Sequence, residues 1–149
     1  MPHFGLMDTE DSFATEEGAL LRARLHIRAG RRRLSQGKIA SGIATLYDAL
    51  LFAMDWYIFS PERKKKLDLR EGEDLRNDRT LYALLVRSGV LDGRFDYEAF
   101  NKTVGEDAPE EMPGYDFAAT LEEIEAVMRQ LGVMPFDENR LPPEDPSTY

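Results

Sequence analysis

The chain has 149 residues, of which 42% are hydrophobic and 32% charged, and it contains no cysteine and only two histidines. A chain of this length favours one domain that buries roughly two-thirds of its unfolded surface. The missing cysteines exclude disulfides, thiolate metal sites and a cysteine nucleophile. No apolar run approaches the roughly 18–20 residues that span a bilayer, and the N-terminus is acidic, unlike a signal peptide. We therefore expect a cytoplasmic globular protein without a membrane segment, a metal or a cofactor.

Charge is distributed unevenly along the chain. The net charge is −9, but residues 1–87 carry 15 basic and 13 acidic side chains, whereas residues 88–149 carry 4 basic and 15 acidic ones. An acidic protein repels phosphate on average, although a local basic patch can still bind an anion. We expect the acidic C-terminal part to lie against the basic part, within one molecule or across a dimer.

The first predicted helix is cationic. Residues 1–14 lack periodicity and are expected to form a flexible lead-in to a single helical domain, residues 15–132. Thr15 is expected to cap a helix that ends at about residue 35, before Gly37. Seven basic side chains and no acidic one lie between Arg22 and Lys38. The pattern predicts an amphipathic helix with a basic margin.

The second predicted helix covers residues 38–59 and is apolar on two sides. One side carries large residues at spacings of three and four, and the opposite side carries Phe52, Trp56 and Phe59. A helix with two apolar sides is central in a bundle or packs against a partner. We therefore expect a homodimer whose interface includes these three aromatic residues.

Three further helices are predicted in the rest of the chain, after a solvated loop at residues 61–77. Asp78 is expected to cap the first of these, which ends near residue 89. A short accessory helix follows to about residue 104, with Asp96 as its N-cap and Phe95 and Phe100 as a hydrophobic staple. After an acidic loop at residues 105–114, the last helix spans 117–131, and Thr120 could begin a capping box if it starts late. Residues 133–149 are rich in proline and predict an irregular tail that wraps the bundle or stays disordered.

The elements together predict an all-α protein. We expect an antiparallel bundle of four main helices plus the short accessory helix, with no strand, repeat or second domain.

Two groups of residues suggest chemistry, and neither pattern is specific. Asp48 and Asp55 are seven residues apart on one helical face, where a carboxylate pair can hold a metal. Because no ligand from a second helix is evident, we interpret them as solvated or salt-bridged aspartates. His26 has no HExxH-type partner, so we interpret it as a surface or interface histidine. We therefore predict no catalytic and no metal-binding residue.

The segment from Leu34 to Leu50, LSQGKIASGIATLYDAL, resembles the second helix of HEPN domains. These are small helical bundles associated with nucleotidyltransferases and with toxin–antitoxin or other defence systems, and the resemblance covers residues 16–90. Ribonuclease members carry an arginine, often followed by asparagine, with a histidine four to six residues further on. Here Arg76 and the asparagine after it supply the first half, but Leu81 or Tyr82 stands where the histidine would be. The resemblance implies a dimeric helical fold and a protein partner such as a nucleotidyltransferase, without the group that would manage the 2′-hydroxyl proton of RNA.

Two hypotheses about function remain open. The first is a non-catalytic HEPN-like interaction module, dimeric, which binds a protein partner or a nucleotide. The alternative is an RNA-binding protein or degenerate ribonuclease that uses an arginine cluster. The candidate anion or nucleotide ligands are Arg24, Arg28, Arg31, Arg32, Arg76 and Arg79.

The partners of the arginines separate these two hypotheses. Arginine grips carboxylate and phosphate equally well. We expect internal carboxylates such as Glu122, Glu123 and Glu125 to neutralise the first helix, and the nucleic-acid hypothesis requires that the arginines stay open.

Overall fold

The structure is all-helical, as predicted. A computed structural model describes residues 15–105 and 115–148, and these contain no strand. They form six α-helices and two one-turn 3-10 helices: α1 Glu16–Ser35, α2 Ile39–Phe59, α3 Pro61–Lys64, α4 Asp78–Arg87, α5 Tyr97–Gly105, α6 Phe117–Leu131, and the 3-10 turns Glu138–Arg140 and Pro146–Thr148. The predicted lead-in at 1–14 and most of the predicted acidic loop lie outside the described residues.

Local signals place the start and end of α1. The hydroxyl oxygen of Thr15 accepts a hydrogen bond of 2.9 Å from the amide of Gly18, which satisfies one of the open donors at the helix N-terminus. Beyond Ser35, Gly37 adopts a φ of 79°, a conformation that glycine tolerates without steric cost. The predicted cap and the predicted end of this helix are both confirmed.

The second helix is central among the described helices, because it contacts each of the other five. By length and composition alone α2 would be apolar enough to cross a membrane, and half of the apolar window is buried inside the structure. Residues such as Ile43, Leu50 and Met54 are fully buried. The contacts of α2 with helices on several sides account for its two-sided apolar pattern.

Two glycines bring α1 and α2 together in an antiparallel pair. A Cβ placed on Gly30 of α1 would lie 2.7 Å from the side chain of Leu46 of α2. In the same way, a Cβ on Gly42 of α2 would lie 2.8 Å from the side chain of Leu34 of α1. Each helix therefore receives a leucine of the other at a glycine, and the contacts run in reverse order along the two helices.

Three details of the other helices differ from the sequence predictions. The predicted loop at 61–77 begins with the single turn α3, which Ser60 caps and which has proline at its first position. The N-cap of α4 is Asn77 and not Asp78, since the Asn77 side chain accepts from the amide of Thr80. The N-cap of α6 is Asp116, so the alternative that began at Thr120 is wrong.

The predicted staple of the short helix is confirmed. The carboxylate of Asp96 accepts from the amide of Ala99 just inside α5. The rings of Phe95 and Phe100 lie 5.5 Å apart between their centroids. These contacts fix the direction in which the chain enters α5.

The segment that follows α6 lies along α1. Gly132 ends α6 with a φ of 96°, and residues 133–148 after it are called the C-terminal strap here. Leu141 of the strap packs against an apolar cluster of α1 formed by Leu21, Leu25 and Ala29. Because this cluster is separate from the main core, the strap covers a second, smaller apolar surface of the first helix.

Candidate functional site

Four arginines of α1 donate hydrogen bonds to the C-terminal part of the chain. We call the surface that they form the arginine face: Arg24, Arg28, Arg31 and Arg32. Nε of Arg31 donates to Glu125 of α6 at 2.8 Å, and a terminal nitrogen of the same side chain donates to Glu138 of the strap at 2.6 Å. Burial alone would lower the pKa of Arg31, but the two carboxylates raise it above its usual value.

The strap also contacts the remaining arginines of the face. Two nitrogens of Arg32 donate to the carboxylate of Glu144, at 3.0 and 3.2 Å. Nε of Arg24 donates to the carbonyl oxygen of Val133 at 3.1 Å, and Arg28 donates to the carbonyl oxygen of Pro142 at 2.7 Å. The arginine face therefore binds carboxylates and carbonyls of the chain's own C-terminal part.

The glutamates that neutralise the arginine face are only partly those expected. Of the three glutamates of α6 proposed from the sequence, only Glu125 pairs with an arginine of the face. Glu122 and Glu123 are exposed and line a separate open groove of about 400 Å³ next to Phe95. The other partners are Glu138 and Glu144, which lie in the strap. Helical periodicity gives no information on where an irregular strap will lie, so the sequence reasoning missed both.

Arg76 and Arg79 do not join the arginine face. The Arg76 side chain is 92% exposed and pairs with Asp74, two residues away. Arg79 of α4 lies 3.4 Å from Glu98 of α5. The six proposed anion ligands therefore fall into two separate groups, of which only the α1 group is covered by the chain itself.

The aromatic side of α2 is partly used within the chain. The Phe52 ring lies 5.1 Å from the ring of His26, and the guanidinium of Arg63 lies 3.8 Å above the ring of Trp56. Only Phe59 remains well exposed, at 40%. The three residues proposed for a dimer interface thus differ in accessibility, with Phe59 the most open.

The interpretation of His26 as a surface or interface histidine is wrong. Its side chain is completely buried between α1 and α2, and Nδ1 lies 2.7 Å from the carbonyl oxygen of Arg22. The burial arises because Phe52 of α2 packs against this position of α1, a contact that the sequence does not reveal. A ring in this position cannot reach a bound substrate.

Asp48 and Asp55 are half-buried, which corrects their interpretation as solvated or salt-bridged. Burial raises the pKa of both carboxyl groups, and that of Asp55 reaches about 6. Asp55 lines a cavity of about 150 Å³ between α2 and α4, together with Tyr47, Arg76 and Asp78. In the parts of the chain that the structure describes, no three metal-ligating side chains are grouped.

A polar cluster beside this cavity joins three helices and was not predicted. The carboxylate of Asp78 on α4 accepts from the hydroxyls of Tyr47 on α2, at 2.7 Å, and of Tyr97 on α5. Burial alone would raise the pKa of Asp78, but the two hydroxyls stabilise its charged form and lower the pKa overall. The partners are 31 and 19 residues away, and no sequence pattern links them.

We expect Asp78→Asn to lower the free energy of unfolding by about 1 kcal/mol near neutral pH, because the charged acceptor of two hydroxyls is lost. Since the pKa of Asp78 is lowered in the folded protein, this stabilisation is present above the unfolded pKa of about 3.9 and disappears as the pH falls further. Urea unfolding at several pH values measures the difference. Glu122→Gln, at an exposed position, is the control, and an equal effect of both substitutions would contradict the assignment.

Comparisons of the chain with protein-family models, with curated proteins and with solved structures found no match.

Proposed function

We propose that the protein is a non-catalytic helical interaction module, HEPN-like in its arrangement, which acts as a homodimer and binds a protein partner. The observation that carries the proposal is the arginine face of α1. Each of its four guanidiniums donates to a carboxylate or carbonyl of residues 125–144. A basic surface whose donors are occupied by peptide groups is suited to protein contacts, and Glu125, Glu138 and Glu144 offset part of the positive charge that would attract phosphate.

The burial of His26 supports the non-catalytic part of the proposal. General acid–base catalysis needs a group within hydrogen-bond reach of the substrate. His26 is the one histidine among the residues that the structure describes, and it has no exposed surface. Near Arg76, the positions at which ribonuclease members carry a histidine hold Leu81 and Tyr82, and both are buried in the core.

The proposed arrangement is an antiparallel bundle of four main helices, α1, α2, α4 and α6, with α5 as the accessory helix. The reciprocal contacts at Gly30 and Gly42 support the antiparallel pairing of α1 and α2. The contacts of α2 with α4 and α6 are consistent with its place in the middle of such a bundle.

The dimer is tested by light scattering at tens of micromolar, where we expect twice the mass of the chain. Phe59→Asp should shift the protein toward the monomer, because a charge would replace an exposed apolar contact. Leu69→Asp is the matched control, since Leu69 is the other well-exposed large apolar residue in the described part of the chain, at 46%, and lies outside α2. A wild-type monomer, or a dimer insensitive to Phe59→Asp, would refute this part of the proposal.

The alternative function is tested by the binding of a single-stranded RNA oligonucleotide at low salt and at about 150 mM salt, where the screening length is roughly 8 Å. We expect no binding at the higher salt. Binding at both salts that is lost in Arg76→Ala/Arg79→Ala would favour the nucleic-acid hypothesis, because these two arginines are the exposed pair.

A further inference from the structure

The C-terminal strap is held on α1 as an extended peptide is held in a recognition groove. Residues 133–148 contain only two single turns of 3-10 helix. They donate nothing to the arginine face and instead supply acceptors along it. Main-chain oxygens of Val133 and Pro142 accept from Arg24 and Arg28.

Side chains of the strap add specificity to these main-chain contacts. Glu138 pairs with Arg31 and Glu144 pairs with Arg32. Leu141, which lies between these two glutamates in sequence, packs against the apolar cluster of α1 at Leu21 and its neighbours. The arginine face and the neighbouring apolar cluster thus bind two carboxylates that flank an aliphatic residue in sequence. This is the kind of pattern that defines a short peptide motif.

The strap does not fill this surface completely. Nε of Arg28 is buried and has no acceptor among the described residues. A cavity of about 530 Å³ lies between α1 and the strap, lined by residues that include Leu20, Phe136 and Arg140. A buried donor without an acceptor costs free energy. A partner segment that supplies an acceptor to Nε of Arg28 would therefore gain a contact that the strap does not make.

We propose that the arginine face is a binding site for an extended acidic segment of a partner protein, and that the strap occupies it as an internal competitor. The partner segment carries two carboxylates that flank an aliphatic residue, as Glu138 and Glu144 flank Leu141. The inference rests on the proposed role as an interaction module and names the class of partner and its regulation. Partner binding displaces the strap and exposes it.

Because the strap is tethered beside the site, it lowers the apparent affinity of the arginine face for a partner segment. A segment joined to its site through a short connection competes at an effective concentration in the millimolar range. A free peptide with the same contacts therefore binds the intact protein weakly. Weakening the strap within the full chain should tighten the binding of a free peptide by about tenfold or more.

The test uses a fluorescent peptide of residues 133–148 and full-length variants. In Glu138→Lys/Glu144→Lys the strap is repelled by Arg31 and Arg32, and we expect the peptide to bind this variant at least about tenfold more tightly than the wild type. Glu122→Lys/Glu123→Lys makes the same change of charge away from the strap and should bind like the wild type. A peptide in which both glutamates are replaced by glutamine should bind neither the wild type nor Glu138→Lys/Glu144→Lys. Circular dichroism checks that each variant folds.

Further results would decide against the proposal. Adding Arg31→Gln/Arg32→Gln to the strap variant, Glu138→Lys/Glu144→Lys, should abolish peptide binding. Retained binding would place the peptide elsewhere on the protein. A folded strap variant that does not bind the peptide would overturn the inference, and a dimeric wild type would then leave the proposed function standing. Binding of a single-stranded RNA oligonucleotide that is tighter than binding of the peptide, and that is lost on adding Arg31→Gln/Arg32→Gln, would assign the face to phosphate and refute both.

Discussion

Replacement of Gly42 with alanine is expected to lower the free energy of unfolding by about 1–3 kcal/mol, although alanine is the better helix former. The added Cβ would lie 2.8 Å from the Leu34 side chain and 3.1 Å from the backbone nitrogen of Leu34. The Leu34 side chain is buried, at 3% exposure, so it has little room to move away, and the contact with its backbone nitrogen adds to the crowding. The two helices must therefore separate slightly, and the surrounding core loses contacts.

A double-mutant cycle with Leu34 tests whether this contact is the cause. Leu34→Ala alone removes a buried side chain and should cost about 2–5 kcal/mol. The combined Gly42→Ala/Leu34→Ala protein should be more stable than the sum of the two losses predicts, by about 1 kcal/mol, because the alanine then has room. Gly105→Ala, where no described atom lies within 4 Å, is the control and should be neutral or stabilising. Additive losses measured in urea would show that helix approach is not the reason.

Asp55→Asn is expected to raise the free energy of unfolding near pH 7.5 by about 1–2 kcal/mol, a figure discounted for the partial exposure of the carboxyl group. Burial raises the pKa of Asp55 to about 6 in the folded protein, whereas the unfolded value is about 3.9. Above both values the folded protein holds a half-buried charge that the unfolded chain keeps in water. An amide of the same shape avoids that cost.

The pH dependence of this effect has a defined sign. Between about pH 4 and 6 the folded wild-type protein binds more protons than the unfolded chain, so Asp55 makes stability rise as the pH falls through this range. The difference between Asp55→Asn and the wild type should therefore shrink from pH 7.5 to about pH 4 and vanish below it. Glu123→Gln, at an exposed position, should show no such trend. A difference that does not change with pH would mean that Arg76, which lines the same cavity, compensates the charge.

Much of the helical framework was readable from the chain because its signals are local. Thr15 and the amide that it caps are three residues apart, and the same separation joins Asp96 to Ala99. The periodicity that predicted residues 117–131 as a helix matches α6 at both ends. Caps, staples and apolar periodicity act within one or two turns, so their partners are present in any short window of sequence.

The candidate site was decided by tertiary contacts. Arg31 was recognisable as a cation that needs an anion, but its partners Glu125 and Glu138 are 94 and 107 residues away. The sequence predicted His26 and Asp55 as surface residues, whereas the packing of the helices buries His26 and half-buries Asp55. Sequence alone therefore predicted the described α-helices except the single turn α3, and it indicated that the basic half needs acidic partners. Which carboxylate meets which arginine, and which polar group is buried, depends on how the helices and the strap pack, since burial and ion pairing are properties of distances in space and not along the chain.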